Sequence, residues 1–289
     1  MNPINRTFFD FACRIATEIE AAAILLYANV ATDLPIPTEQ KLDFDLVLVT
    51  KGKEELPERF KDSGTILNVP NVHLTRVGQI KIAITKGIAT GLFKKGDKLV
   101  CLTGIPSFGY VDSMFVIDVG REFEILTSKD MADIIEGIYP EVFGAVLNIA
   151  LELAAQGREG RKVGTIFILG DHEKVLQLSR QMIMNPFLGY PEEERNILNP
   201  DLMETIREFS AIDGAFIIKD NGTIVTAGRH LNAALENRDF PPGLGSRHIA
   251  AAGISSVTHA IAVVLSESTG NVTVFKNGKI FVSIEKPIE

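Results

Sequence analysis

The chain has 289 residues, a formal net charge of −8 at pH 7 and 46% hydrophobic residues, which is enough material for one large or two ordinary globular domains. The acidic balance without a Lys/Arg cluster argues against a nucleic-acid surface, and no apolar run approaches the ~18–20 residues that cross a bilayer. We therefore expect no nucleic-acid partner and no membrane partner. Since the N-terminus lacks an export signal, we expect a cytoplasmic protein.

The first part of the chain, residues 1–127, alternates helical and strand patterns. Apolar residues at helical spacing predict a helix around 8–19 and another over 81–92, and short apolar runs predict strands over 45–50, within 96–104 and over 113–119. Continuous apolar strands between helices are typical of a small, mainly parallel sheet. We predict a three-layer α/β domain.

The pattern changes around 126–130, where we place the start of a second domain, residues 128–289. A long amphipathic helix over 131–156, broken near Pro140, is expected to open it. Further helices are predicted over 173–184, 200–210 and 245–258. Strands are predicted over 164–170, 212–218, 223–227, 260–265, 272–275 and 279–284, with hairpin turns that make some of them antiparallel. We therefore predict a mixed central sheet flanked by helices.

An acidic residue stands beside a glycine at the start of the strand predicted at 212–218. Gly214 and Ala215 are small and leave room close to the backbone, and Asp213 would offer a hard oxygen ligand there. Mg²⁺ and Mn²⁺ are held by one or two carboxylates together with substrate phosphates. The tripeptide by itself also fits an ordinary turn aspartate.

A basic motif opens the helix predicted at 245–258. Gly245 and Ser246 precede Arg247 and His248, and we expect Ser246 to be the N-cap residue. Free backbone N–H groups at a helix start favour a phosphate, and Arg247 adds a planar bidentate donor. The motif by itself also fits a capped helix with a solvated arginine.

Two polar residues, Ser266 and Glu267, follow the apolar strand predicted at 260–265. Such a pair is usually a turn. If this strand lies beside the one that Asp213 introduces, Glu267 is placed to share its metal ion.

In their order and spacing these three patterns together resemble the diadenylate cyclase family, which makes cyclic di-AMP from two ATP. Its members carry Asp-Gly-Ala, then Gly-Thr/Ser-Arg-His-Arg about thirty residues on, then Ser-Glu after one more strand. The resemblance covers about 130–289. One position departs from it, because Ile249 stands where the family has its second arginine; Arg229 is a candidate to replace that phosphate contact.

The first domain is similar to the C-terminal α/β domain of pyruvate kinase, on the stretch from Gly96 and Asp97 through Gly104 to Pro106. In pyruvate kinase that domain is regulatory. The resemblance implies a regulatory or assembly role for residues 1–127, in the arrangement of archaeal diadenylate cyclases.

The family resemblance implies a mechanism and a site. Two ATP molecules, each held by one subunit of a two-fold dimer, would react with each other, so a homo-oligomer built from such dimers is expected. Mg²⁺ or Mn²⁺ would be held by Asp213 and Glu267. The catalytic residues would be Asp213, Arg247 and His248. The nucleotide would contact Gly214, Ala215, Leu231, Gly245, Ser246, Arg247, His248, Ser266 and Glu267.

Two other functions stay open from the sequence. The departure at Ile249 leaves room for a non-catalytic sensor of a nucleotide or cyclic dinucleotide on the same fold. A scaffold is the third possibility, in which the first domain binds a phosphorylated metabolite and the second mainly oligomerises.

Overall fold

The computed structural model describes residues 2–30, 33, 43–52, 64–120, 137–233 and 244–286. The chain divides into two compact units, Met1–Lys129 and Asp130–Glu289. The predicted change at 126–130 and the beginning of the helix predicted from 131 lie outside the described residues. The exact domain limits, 1–127 and 128–289, therefore stay a prediction.

The first unit is built on a five-stranded sheet. Its elements are α1 (Pro3–Glu18), β1 (Ala23–Tyr27), β2 (Asp45–Lys51), β3 (Thr65–Val69), α2 (Arg76–Ala89), β4 (Lys98–Thr103) and β5 (Ser113–Asp118). The strand order is β3-β2-β1-β4-β5. All pairings are parallel except that of β4 with β5. The mainly parallel α/β sheet is confirmed.

Two strands of this sheet, β1 and β3, have no counterpart among the predicted elements. All five residues of β1 are buried because it is the central strand. A short, continuously apolar run has no period that separates a strand from a buried helix. The second helix begins five residues earlier than predicted, since the Thr75 hydroxyl caps it by accepting from the Gly78 amide at 2.9 Å.

The second unit is built on a seven-stranded mixed sheet. Its elements are α3 (Pro140–Gln156), β6 (Thr165–Leu169), α4 (His172–Gln177), β7 (Ser179–Gln181), α5 (Met203–Ser210), β8 (Ala215–Ile218), β9 (Ile224–Leu231), α6 (Ser246–Val257), β10 (Ile261–Leu265), β11 (Val272–Lys276) and β12 (Lys279–Ile284). The order is β12-β11-β10-β6-β8-β9-β7. Only β6 and β8 run parallel. This is the predicted mixed sheet flanked by helices. None of the helices in the described part of the chain is long and apolar enough to cross a membrane.

One face of this sheet packs against α6. Small residues of the helix, Ala251 and Ala252, are fully buried against Ile166, Ile168 and their neighbours on the strands. Small side chains let the helix axis approach the sheet closely. The start of α6 is thereby fixed over the strands that carry the predicted site.

The helix predicted over 173–184 is wrong in its second half. The chain leaves α4 after Gln177 and forms β7, which pairs with the end of β9. The Arg229 guanidinium stabilises this arrangement, because it donates to the carbonyl oxygens of Leu176 at 2.9 Å and Ser179 at 2.7 Å. A tertiary contact therefore overrides the local helical pattern.

The register of three neighbouring strands brings the predicted site residues together. Ile166 lies opposite Ala215 in the parallel pair, and Thr165 lies opposite Leu265 in the antiparallel pair. Asp213 precedes β8 and Glu267 follows β10, so both carboxylates reach the same sheet edge, on either side of the start of β6. The candidate site consequently lies at the amino ends of β6 and β8.

Candidate active site

One guanidinium joins the two carboxylates that the sequence singles out. Arg247, in the first turn of α6, places its Nη2 3.6 Å from Oδ1 of Asp213, and its Nη1 donates to Oε2 of Glu267 at 3.0 Å. The arginine side chain is 28% exposed, against 81% for Asp213 and 57% for Glu267. Three separate segments thus converge on one charged cluster that is open to solvent.

Gly164 makes this convergence possible. A Cβ atom at this position would lie 2.7 Å from Nη1 of Arg247 and 2.8 Å from Cβ of Glu267. Any larger residue would therefore displace the guanidinium or the strand end that carries the glutamate. Because Gly164 has no side chain, the Arg247 guanidinium can occupy the space beside it.

A cleft of about 890 Å³ opens beside the cluster. The start of α6 and the end of β10 form much of its wall, and the predicted residues that line it are Gly245, Ser246, Arg247, His248, Ser266 and Glu267. The volume lies in the range of small-molecule and cofactor sites. The cleft is therefore large enough for a nucleotide.

The first residue of α6 is Ser246, and its N-cap residue is Gly245. The prediction that Ser246 caps the helix is wrong, because Ser246 already has helical geometry and no side chain in the described part of the chain makes a cap hydrogen bond. The Gly245 carbonyl accepts from the amides of His248 at 3.0 Å and Ile249 at 3.2 Å. An uncapped helix start leaves its first N–H groups available to an anion such as a phosphate.

Comparison with known proteins matches both halves of the chain. Residues 152–280 match the family model described as DisA bacterial checkpoint controller nucleotide-binding, and residues 5–127 match one described as a probable sensor domain. A diadenylate cyclase of Haloferax volcanii is 34% identical over 233 residues, which are 79% of this chain and 83% of that protein. The chain belongs to the diadenylate cyclase family.

Two further relatives are named as a diadenylate cyclase and a cyclic di-AMP synthase. A diadenylate cyclase of Methanocaldococcus jannaschii is 38% identical over 202 residues, which are 70% of this chain but 64% of that protein, just under two thirds of its length. A cyclic di-AMP synthase of Bacillus subtilis, CdaA, is 44% identical over 68 residues, 24% of each chain. The likeness of the first unit to pyruvate kinase stays a prediction.

The two carboxylates of the cluster suit a divalent cation that the substrate also coordinates. No group of three or more His, Cys, Asp or Glu side chains that could hold a metal occurs among the residues that the structure describes, so a site closed by protein ligands is not formed there. Asp213 and Glu267 instead offer two exposed carboxylates within 4 Å of one guanidinium. One or two carboxylates completed by substrate phosphates are the usual ligands of Mg²⁺ at nucleotide sites.

His248 is buried at the back of the cleft. Its side chain is 7% exposed, and its ring meets the edge of Phe275 at a centroid distance of 6.1 Å. Burial lowers the pKa of His248 below its ordinary value. The imidazole is therefore neutral at pH 7 and can offer one N–H donor to a phosphate, but no positive charge.

The glycine of the Asp-Gly-Ala motif serves strand packing. Gly214 has a φ of +116°, and a Cβ there would lie 2.7 Å from the Arg229 amide nitrogen, so the expected room at Gly214 is filled by the backbone of β9. Ala215 is fully buried and Leu231 is 7% exposed. Contact of the nucleotide with Gly214, Ala215 and Leu231 stays a prediction.

Arg229 does not take the place of the missing second arginine. Its Nε donates to the Ser179 hydroxyl at 2.8 Å, its Nη1 to Gln181 at 3.3 Å, and its Nη2 to two backbone carbonyls. Four of its five N–H groups are therefore committed to β7 and the end of α4. The position of Ile249 itself is half-buried in the first turn of α6.

The sequence reasoning missed two cations of the site, Arg161 and Lys162. Both are exposed and both line the cleft beside Arg247. The sequence showed them only as the end of a turn after the long helix. Their place in front of β6, the strand between the two carboxylates, was the signal that could have found them.

Proposed function

We propose that this diadenylate cyclase condenses two ATP into cyclic di-AMP, with release of two pyrophosphates, at the cleft beside Arg247. One observation carries the assignment: Arg247 lies between Asp213 and Glu267 at the uncapped start of α6. Carboxylates for a cation and donors for phosphates thus meet within one cluster. Each ribose 3′-oxygen forms a bond to the α-phosphorus of the other ATP, the α–β phosphate bond breaks, and the hydroxyl proton is released.

Each residue of the cluster has its own role in substrate binding or catalysis. Arg247 and the first amides of α6 bind the β- and γ-phosphates and stabilise the charge that develops on the departing pyrophosphate. His248, neutral and fixed against Phe275, donates one hydrogen bond to a phosphate oxygen. Asp213 and Glu267 would hold Mg²⁺ or Mn²⁺, which when bound would supply a Lewis acid that makes the 3′-hydroxyl a better nucleophile.

The two-fold symmetry of the product determines how the subunits are arranged. A molecule with two identical phosphodiester links is made by two identical attacks, so two clefts face each other across a two-fold axis. We assign to this protein a homo-oligomer built from such dimers. A cytoplasmic location follows from the use of ATP.

The first unit is assigned a sensory or assembly role. Residues 5–127 match a family model whose description is a probable sensor domain. None of the cluster residues belongs to that unit. Signals received there would act on the rate of the second unit and leave its chemistry unchanged.

Incubation with ATP and either Mg²⁺ or Mn²⁺, followed by mass analysis and a pyrophosphate assay, tests the function. We expect cyclic di-AMP and pyrophosphate in a one-to-two ratio. Nucleotide that stays bound and unchanged would contradict catalysis and indicate a sensor. An absence of binding would leave only the scaffold function.

A further inference from the structure

The charges within the known motif do not balance the charge of an ATP tail. Arg247 contributes one positive charge, but Asp213 and Glu267, both within 4 Å of its guanidinium, contribute two negative ones. His248 is neutral because burial lowers its pKa. The motif cluster by itself therefore has a net charge of −1, or +1 with a divalent cation on the two carboxylates, whereas a triphosphate brings three to four further negative charges.

Two other cations line the same cleft. Arg161 and Lys162 are exposed, and among the described residues neither side chain forms an ion pair. Among the residues that the structure describes, the charged side chains in the cleft wall are these two, Arg247 and Glu267. The same four line a smaller adjoining hollow of about 280 Å³, together with Arg158 and Glu159. In each cavity the described cations outnumber the carboxylates by two, so positive charge is in excess on this side of the cluster.

A tight turn fixes the place of these cations. Residues 158 and 161 exchange two backbone hydrogen bonds, of 2.9 and 2.8 Å. The Arg158 side chain pairs with Glu208 on α5 at 2.5 Å, which ties the turn to the rest of the unit. Lys162 follows directly and leads into β6 through Gly164. The two cations are therefore held close to the space beside Gly164 that the Arg247 guanidinium occupies.

We propose that Arg161 and Lys162 bind the pyrophosphate portion of ATP and are the phosphate contacts that compensate for Ile249. The neighbouring wall carries the hydroxyl groups of Ser268, Thr269 and Ser283, which suit phosphate oxygens as further donors. The ligand class is a polyphosphate chain, recognised by charge and hydrogen bonds. The inference rests on the proposed function, which gives the cleft its nucleotide.

Equilibrium binding of two nucleotides separates this role from general damage. 3′-Deoxy-ATP carries the complete triphosphate but lacks the attacking hydroxyl, and AMP lacks the pyrophosphate portion. For the double variant Arg161→Ala/Lys162→Ala we expect binding of 3′-deoxy-ATP to weaken at least about tenfold, since two charge-assisted contacts to the phosphates are lost. AMP binding should change less than about twofold.

Two further variants serve as controls. Lys174→Ala removes an exposed lysine on α4, which follows the opposite end of β6 and lies outside the cleft wall; both affinities should stay within about twofold of the original chain. Arg161→Lys keeps the charge and should retain most of the 3′-deoxy-ATP affinity. Inhibition of ATP turnover by added pyrophosphate should weaken in the double variant in parallel with 3′-deoxy-ATP binding.

Several results would overturn the inference. They are equal losses for 3′-deoxy-ATP and AMP, no loss for either, or a loss of the same size in Lys174→Ala. An unmodified chain that binds no 3′-deoxy-ATP would overturn it as well. A chain that binds 3′-deoxy-ATP but makes no cyclic di-AMP would contradict the proposed function alone, because the ratio of affinities is measured without turnover.

Discussion

Arg247 and Arg229 lie in two regions of the second unit that use the same side chain in opposite ways. Arg247 faces two exposed carboxylates beside an open cleft. Arg229 donates to the hydroxyl of Ser179, the side chain of Gln181 and two backbone carbonyls. The first guanidinium is surrounded by groups that substrate and cation can replace, and the second by groups that fold the chain.

The difference lies in the partners of each arginine. Exposed ion pairs contribute little to stability, about 0–1 kcal/mol, so the Arg247 cluster is free to reorganise around a ligand. Removing a donor from buried or half-buried acceptors costs about 1–3 kcal/mol, because the acceptors are left unsatisfied. We therefore expect Arg247 to contribute mainly to catalysis and Arg229 mainly to stability.

Of the two arginine variants, Arg247→Ala should show the larger effect on activity. Loss of the guanidinium removes a donor to the phosphates and to the charge on pyrophosphate, and we expect kcat/KM for ATP to fall about 10²-fold or more. The thermal midpoint should change by less than about 2 °C. Turnover and calorimetry on the same preparation check both, and a large drop in Tm would contradict the comparison.

Arg229→Ala should show the reverse. We expect Tm to fall by about 2–8 °C, since the carbonyls of Leu176 and Ser179 lose their shared donor. The kcat/KM of the folded fraction should stay within about threefold. A selective loss of ATP binding with unchanged Tm would show that Arg229 acts in the site after all.

Gly164→Ala tests how the cluster is assembled. The new methyl group would displace Nη1 of Arg247 or the start of the Glu267 segment, and we expect kcat/KM to fall about tenfold. Gly144→Ala is the matched control, because a Cβ at this position in α3 meets no described atom beyond its own helix backbone within 4 Å. Equal activities of the two variants would contradict the role of Gly164.

The smallest expected effect is the pH dependence contributed by His248. Its pKa is lower in the folded chain than in the unfolded chain, so the unfolded state binds more protons near pH 6. This contribution to stability is complete above the unfolded pKa of about 6.5 and decreases as the pH falls below that value. His248→Gln should flatten the plot of Tm against pH in that range; an unchanged slope would contradict the burial argument.

The sequence predicted the fold where periodicity was strong. The strands near 164–170 and 260–265 and the helix at 245–258 are present within a few residues. The helix predicted over 173–184 failed in its second half, where β7 pairs with β9 and Arg229 contacts Leu176. Local pattern carries no information on a partner fifty residues away.

The candidate site was predictable in its residue types but not in its partners. Spacing singled out Asp213, Arg247 and Glu267, and strand register explains why they meet. Spacing could not show that Gly245 occupies the N-cap position or that Arg229 is already committed. It also gave no weight to Lys162, whose role depends on the wall of a cleft formed by distant strands.

The central claim is that the carboxylate beside Arg247 takes part in the chemistry, and Asp213→Asn tests it most directly. Cyclic di-AMP formation from ATP should fall by about 10²–10³-fold or more, while the affinity for 3′-deoxy-ATP is retained. Asp201→Asn, at an exposed aspartate that forms no ion pair with Arg247, should leave both unchanged. Normal cyclic di-AMP formation by Asp213→Asn would contradict the account.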